Sequence, residues 1–280
     1  MNHVIPLYPY PILMIEDSKK EKYIIITDIH IGIEEKIIKK GIFINSKENV
    51  EEIIDILSKI FSQKKIKNLI ILGDLKASIN IITKSEWDNV PYFLNELAKL
   101  FNIYIIPGNH DGNINHLVLN SDISLMSIKG MEFDNKLLTH GHAIPIIGNN
   151  IKRIITGHLH PILVKEGSTI NGQRVWIRII LKKDKINKTK TDEVNLEKIL
   201  EQASRKIEFI VIPHFNKLLN HNFSISEGNR QRNNKNPKSR LPLLNNLINK
   251  KGWKMDQVFI ISLEGSIIGA ESELKKILEF

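Results

Sequence analysis

The sequence predicts an α/β fold built in layers, and three observations predict it. Short β-branched runs alternate with segments of helical apolar spacing through the first half of the chain. Each run stops at glycine, proline or a polar cluster. The second half carries further strand-like runs with a different rhythm, which suits a second sheet.

In chain order, residues 23–27 (YIIIT) read as a buried strand. Residues 50–61 have apolar side chains at helical spacing. Residues 68–72 (NLIIL) form a second buried strand, ended by Gly73. Residues 90–101 are helical, with Pro91 tolerated near the start. Residues 103–106 (IYII) form a third strand, stopped by Pro107 and Gly108. Residues 136–139 and 153–156 are short strands that end at His140 and Gly157. Residues 174–181, 208–212 and 258–263 complete the strands, the last before a turn at Gly265. The chain is expected to be one domain over residues 1–280. A basic insertion is expected at 182–206, with a helix over 194–206, and a mobile polar loop at 227–240.

Composition narrows the chemistry. The chain has 280 residues, 42% apolar and 25% charged, as in ordinary globular proteins. With no cysteine, disulfides, thiolate metal sites and cysteine nucleophiles are excluded. Any metal must be held by histidine, carboxylate or amide ligands, which suit borderline divalent ions. The formal net charge of +9 favours acidic partners such as nucleic acid, or describes a generally basic surface. No apolar stretch approaches the length needed to span a membrane, so a cytoplasmic location without membrane contact is expected.

The chemistry-bearing residues follow the apolar runs. TDIHIG carries Asp28 and His30, ILGDLK carries Asp74, and IPGNHDG carries Asn109, His110 and Asp111. LLTHGHA carries His140 and His142, and ITGHLHP carries His158 and His160. Strand carboxyl ends are where α/β sheets collect their ligands. In an extended segment, residues two apart point the same way, so Asp28 and His30 can serve one ion, as can His158 and His160. Asp28, His30, Asp74, Asn109, His140, His158 and His160 supply seven oxygen or nitrogen donors. One metal needs fewer, whereas two metals sharing a bridging carboxylate need about this many, with water completing the set.

In this order and spacing, DIH, GD, GNHD, HGH and GHLH resemble the calcineurin-like metallophosphoesterase superfamily. The resemblance implies two packed mixed β-sheets flanked by helices, a four-layer sandwich. It implies one ion held by Asp28, His30, Asp74 and His160, and another by Asp74, Asn109, His140 and His158, with Asp74 bridging. Manganese is the expected metal, with iron, zinc and nickel as alternatives. TDIHIGIE, LGDLK, THGHA and GHLHP are also similar to the ICC-like phosphoesterases, including the ligase-associated DNA-damage-response endonucleases. VIPHFNKLL and SLEGSIIG resemble later segments of that subgroup. Ala77 departs from it, standing where the subgroup often carries histidine.

The expected function is a dinuclear phosphodiesterase, a nuclease-like hydrolase acting on DNA, RNA or nucleotides through a metal-bridging hydroxide. Two ions about 3.5–4 Å apart generate that nucleophile and neutralise charge in the transition state. His110 is the candidate leaving-group acid, with Asp111 positioning its imidazole and raising its pKa. His142 braces His140, meets a phosphate or faces solvent, and Lys76 reaches a phosphate or is solvated. Glu34 either supports the first motif or starts a helix. His3, His116, His214 and His221 read as surface or packing residues, and Trp87, Trp176 and Trp253 as core or interface anchors. Two alternatives remain: a phosphomonoesterase, against which the absence of an arginine after Asp74 counts, and a non-catalytic nucleic-acid module, against which the full donor set counts.

Overall fold

The computed structural model describes residues 3–119, 122–183, 205–220 and 240–279. Strands β1 (Val4–Pro6), β2 (Leu13–Glu16), β3 (Lys22–Ile26), β4 (Asn68–Leu72), β5 (Asn102–Ile106) and β6 (Ser124–Leu125) make the first sheet, in that spatial order. Pairing is antiparallel from β1 to β3 and parallel from β3 to β6. The second sheet holds β7 (Met131–Phe133), β8 (Lys136–Leu138), β9 (Arg153–Thr156), β10 (Val175–Lys183), β11 (Arg205–Val211), β12 (Trp253–Ser262) and β13 (Ile267–Gly269). Its order is β13-β12-β10-β11-β9-β8-β7, with β8, β9 and β11 parallel. Both sheets are therefore mixed, as expected.

The helices are α1 (Ile33–Ile38), α2 (Ser46–Lys64), α3 (Lys84–Ala98), α4 (Pro242–Lys251) and α5 (Glu271–Glu279). Three apolar layers hold them and the sheets together. Leu69 and Ile71 of β4 face Val50, Leu57, Val90 and Phe93 of α2 and α3. The alternate residues Ile70 and Leu72 face the second sheet, packing with Leu138, Ile155, Trp176 and Ile210. On the far side, Ile177 and Phe209 pack against Leu244 and Leu247 of α4 and Ile277 of α5. Strands buried on both faces read as continuous apolar runs, which is why NLIIL and its neighbours were legible. Each such side chain contributes about 1.5–3 kcal/mol through burial.

Several elements differ from expectation. Helix α3 begins six residues early because Thr83 and Glu86 form a capping box. Pro91 consequently lies inside the helix, not at its first turn. Strands β1 and β2 and helices α4 and α5 were not anticipated. Arg205 and Lys206, expected to end a helix, open β11; residues 194–204 of that helix lie outside the described residues. Of the expected polar loop only Arg240 is described, and His221 also lies outside. Among the described residues, no helix is long and apolar enough to cross a membrane.

Candidate metal centre

The parallel strands β3, β4, β5, β8 and β9 all end on one edge, and the loops that leave them carry the predicted donors. The backbone there is not extended. Asp28, His30, Asp74, His158 and His160 have φ of 54°, 48°, 52°, 70° and 50°, the left-handed region. The expectation that an extended segment aims Asp28 with His30, and His158 with His160, is therefore corrected. The strands stop at Ile26 and Thr156, and the chain curls over the sheet edge. Each such residue costs about 1–2 kcal/mol. Loop-to-loop hydrogen bonds hold them: Asp28 N donates to Gly73 O at 3.1 Å and His30 N to Asp74 O at 2.9 Å. Backbone strain concentrated this way marks functional sites.

Packing of the loops leaves no room for side chains at two glycines. A Cβ on Gly73, whose φ is +81°, would enter the His140 ring. One on Gly108 would enter the Asp74 carboxylate and its amide.

The donors converge. Asp28, His30, Asp74 and His160 bring one donor atom each within 4.8 Å of one another, and Asp74, His140 and His158 do the same. Asp74 belongs to both groups. Its Oδ2 lies 3.4 Å from His30 Nε2 and 3.6 Å from His140 Nε2. Asp28 Oδ1 lies 3.0 Å from His140 Nε2 and 3.1 Å from His160 Nε2. His30 Nε2 and His160 Nε2 face each other at 3.2 Å. Asn109 Oδ1, the remaining predicted donor, is buried and has no hydrogen-bond partner among the described residues.

The electrostatics are those of a site that needs cations. Burial pushes the Asp74 carboxyl up to about 7; His140 opposes this, while the Asp28 and Asp111 carboxylates add to it. For Asp28 burial also acts upward, but the His160 and His140 rings outweigh it and hold the carboxyl well below its usual range. Burial lowers His30, and lowers His158 to about 3, so both are neutral imidazoles with a lone pair to offer. Buried carboxylates, neutral imidazoles and an orphaned amide oxygen fit two divalent ions sharing Asp74.

The surrounding residues correct several expectations. Asp111 does not hold the His110 ring. Its Oδ1 accepts from Leu75 N (2.9 Å) and Lys76 N (3.2 Å), and its Oδ2 from Gly108 N (2.8 Å). It thereby ties the Asp74 loop to the Asn109 loop. His110 instead places Nδ1 on Ala77 O at 2.6 Å, and its amide donates to Asp74 Oδ1 at 2.9 Å. Its pKa is lowered by burial to about 4, not raised. Lys76 is neither solvated nor turned to a phosphate: it is fully buried, its Nζ bonding Ser78 O and, at 3.4 Å, Ile81 O. Glu34 accepts from Gly32 N at 3.0 Å and from Asn49 Nδ2 at 2.5 Å, locking the first loop to α2.

His142 stands behind His140, with the two Nδ1 atoms 3.1 Å apart. Burial acts to lower the pKa of His140, but the Asp28 and Asp74 carboxylates outweigh it and raise the pKa. A proton held on His140 Nδ1 and donated to His142 would leave Nε2 as a lone pair for an ion. His214 is fully buried, with its ring 5.5 Å from that of His160 and its Nε2 2.7 Å from Asn220 Oδ1. Trp176 and Trp253 are in the core, but Trp87 is 49% exposed on α3. Sequence reasoning missed Thr27, whose Oγ1 lies 2.9 Å from Asp28 Oδ2 and 2.7 Å from Leu72 O. It also missed Asn216, whose Nδ2 donates to Ile29 O at 2.8 Å. The HFN segment after β11 was the available signal, and it buttresses the first loop from the second sheet.

The calcineurin-like phosphoesterase family model matches residues 21–229. No curated protein matches. Among solved structures, the chain is similar to a nuclease MPE from Pseudomonas putida, at 16% identity, covering 77% of this chain and 88% of that one, with a TM-score of 0.44. It is also similar to Yfce, a phosphoesterase from E. coli, at 17% identity, covering 90% and 98%, with a TM-score of 0.37.

Proposed function

The chain belongs to the calcineurin-like phosphoesterase family and is a metal-dependent phosphoesterase; from that premise we propose a dinuclear phosphodiesterase acting on nucleic acid or nucleotides. The carrying observation is the sharing of Asp74 between two groups of donors. Asp28, His30, Asp74 and His160 would hold one divalent ion, and Asp74, Asn109, His140 and His158 the other, manganese being the expected metal. Bound there, the ions supply Lewis acidity toward phosphate oxygens and a water of lowered pKa.

The chain's own residues position and protonate. Asp111 and Thr27 hold the loops that aim Asp74 and Asp28, and His142 sets the proton on His140. With Nδ1 donating to Ala77 O, His110 works through Nε2, which lies 3.9 Å from Asp74 Oδ2. That nitrogen is where a proton can be held for the leaving oxygen. An anionic phosphate beside it offsets the burial that lowers its pKa. A net charge of +9 supports a polyanionic substrate.

The test is hydrolysis of bis-p-nitrophenyl phosphate against p-nitrophenyl phosphate, with and without manganese. The diester should be preferred, chelator should stop turnover, and Asp74→Asn should abolish it. His110→Ala should slow dinucleotide cleavage about 100-fold or more, but the p-nitrophenyl diester far less, because p-nitrophenolate leaves without a proton. Turnover that persists in chelator contradicts the dinuclear reading, and equal losses on both leaving groups contradict the role of His110.

A further inference from the structure

We propose that Arg240 holds a second phosphate of a nucleic-acid strand, in a groove that leads away from the histidine donors. The proposal rests on the phosphodiesterase reading above and names the part of the substrate beyond the scissile ester. His158 and His160 line a cavity of about 270 Å³ together with Leu159, Ile162, Leu219 and Arg240. A second cavity of about 210 Å³ shares His160, Ile162 and Arg240 and continues past Leu163, Val164 and Asn220. One guanidinium thus stands in the walls of both cavities, beside two of the residues that would hold metal.

Arg240 is exposed, and its Nη1 donates to Ile277 O of α5 at 3.4 Å, which steadies its position. A planar guanidinium is suited to phosphate oxygens. Among the described residues that line the two cavities, Glu166 of the second carries a full negative charge. That carboxylate repels an anion, so the phosphate belongs on the near side, at Arg240. Ile162, where the two cavities meet, and Val164 beyond it offer apolar contact for a sugar or base. A monophosphate would occupy the metal centre and leave this groove unused, whereas a strand extends along it.

Binding of a fluorescein-labelled single-stranded thymidine oligonucleotide, measured in chelator so that no turnover occurs, tests this directly. Affinity is read by anisotropy between about 50 and 200 mM salt for the wild type, Arg240→Ala, Arg240→Lys and Lys67→Ala. Lys67 precedes β4, at the end of the sheet opposite the donor loops. Arg240→Ala should weaken binding severalfold and make the slope of log K against log salt shallower by about 0.7, the value for one single-strand phosphate contact. Arg240→Lys should keep the slope and lose part of the affinity, and Lys67→Ala should change neither. An unchanged slope in Arg240→Ala, or an oligonucleotide that the wild type does not bind, overturns the proposal. With manganese present, Arg240→Ala should lower kcat/KM more on a dinucleotide with an added terminal phosphate than on bis-p-nitrophenyl phosphate, and equal losses overturn it. A wild type that cleaves no diester refutes the phosphodiesterase reading instead, and the salt slopes still decide Arg240.

Discussion

Replacing Asp111 by alanine removes the acceptor for three buried amides. Leu75 N, Lys76 N and Gly108 N donate to its carboxylate at 2.9, 3.2 and 2.8 Å, and the residue is only 4% exposed. A buried donor left unsatisfied costs about 1–3 kcal/mol. Three of them would cost several kcal/mol, but burial already pushes the Asp111 carboxyl up, so removing it also relieves a desolvation penalty. The net expectation is a loss of about 3–5 kcal/mol for Asp111→Ala. Asp111→Asn keeps one oxygen for Leu75 and Lys76 but sets an NH₂ against Gly108 N–H, so it should lose less, about 1–3 kcal/mol. Guanidinium unfolding of metal-free protein reads both values. Because the same carboxylate joins the loops of Asp74 and Asn109, manganese affinity by calorimetry should fall about 10–100-fold in both variants. An Asp111→Ala protein as stable as wild type, or one that binds manganese undiminished, would refute the reasoning. At saturating manganese, a His110 pH profile unchanged from wild type would agree with it, since the Asp111 carboxylate bonds the Leu75, Lys76 and Gly108 amides and not that ring.

Gly108→Ala should displace Asp74, because its Cβ meets the Asp74 carboxylate and amide. The expected result is about 1–3 kcal/mol of lost stability and at least about tenfold weaker metal binding, and wild-type affinity would show that the loop adapts. Metal affinity should also depend on pH through Asp74, whose carboxyl stands at about 7 without metal. Below that pH a proton must leave on binding, so apparent affinity should rise with pH by up to about tenfold per unit and level off above about 7. Calorimetry in buffers of differing ionisation enthalpy counts that proton, and a pH-independent affinity would count against it. The sign for stability follows from the raised value. Metal-free, the contribution of Asp74 is fully present below 3.8 and is lost as pH rises through about 7, so unfolding midpoints in chelator should fall across that window.

The layered fold was legible because β3, β4, β5 and β9 are buried on both faces, and such strands are written as unbroken apolar runs. Helices α4 and α5 were not, since PLLNNLINKK and ESELKKILE are short and reveal their apolar faces only against the second sheet. Boundaries slipped where a cap overrode the apolar pattern, as at Thr83.

The sequence by itself determined which chemistry the donors can perform, because residue type sets lone pairs and charge, and position after a strand sets the edge they occupy. Only the tertiary structure decided which atoms meet. The left-handed backbone at Asp28 and Asp74, the carboxylate of Asp111 turned onto amides of a loop 36 residues away, and the ammonium of Lys76 turned into its own loop are outcomes of loops satisfying one another's buried polar groups. Such pairings depend on how separate strand ends are brought side by side, and no local stretch of sequence carries that information.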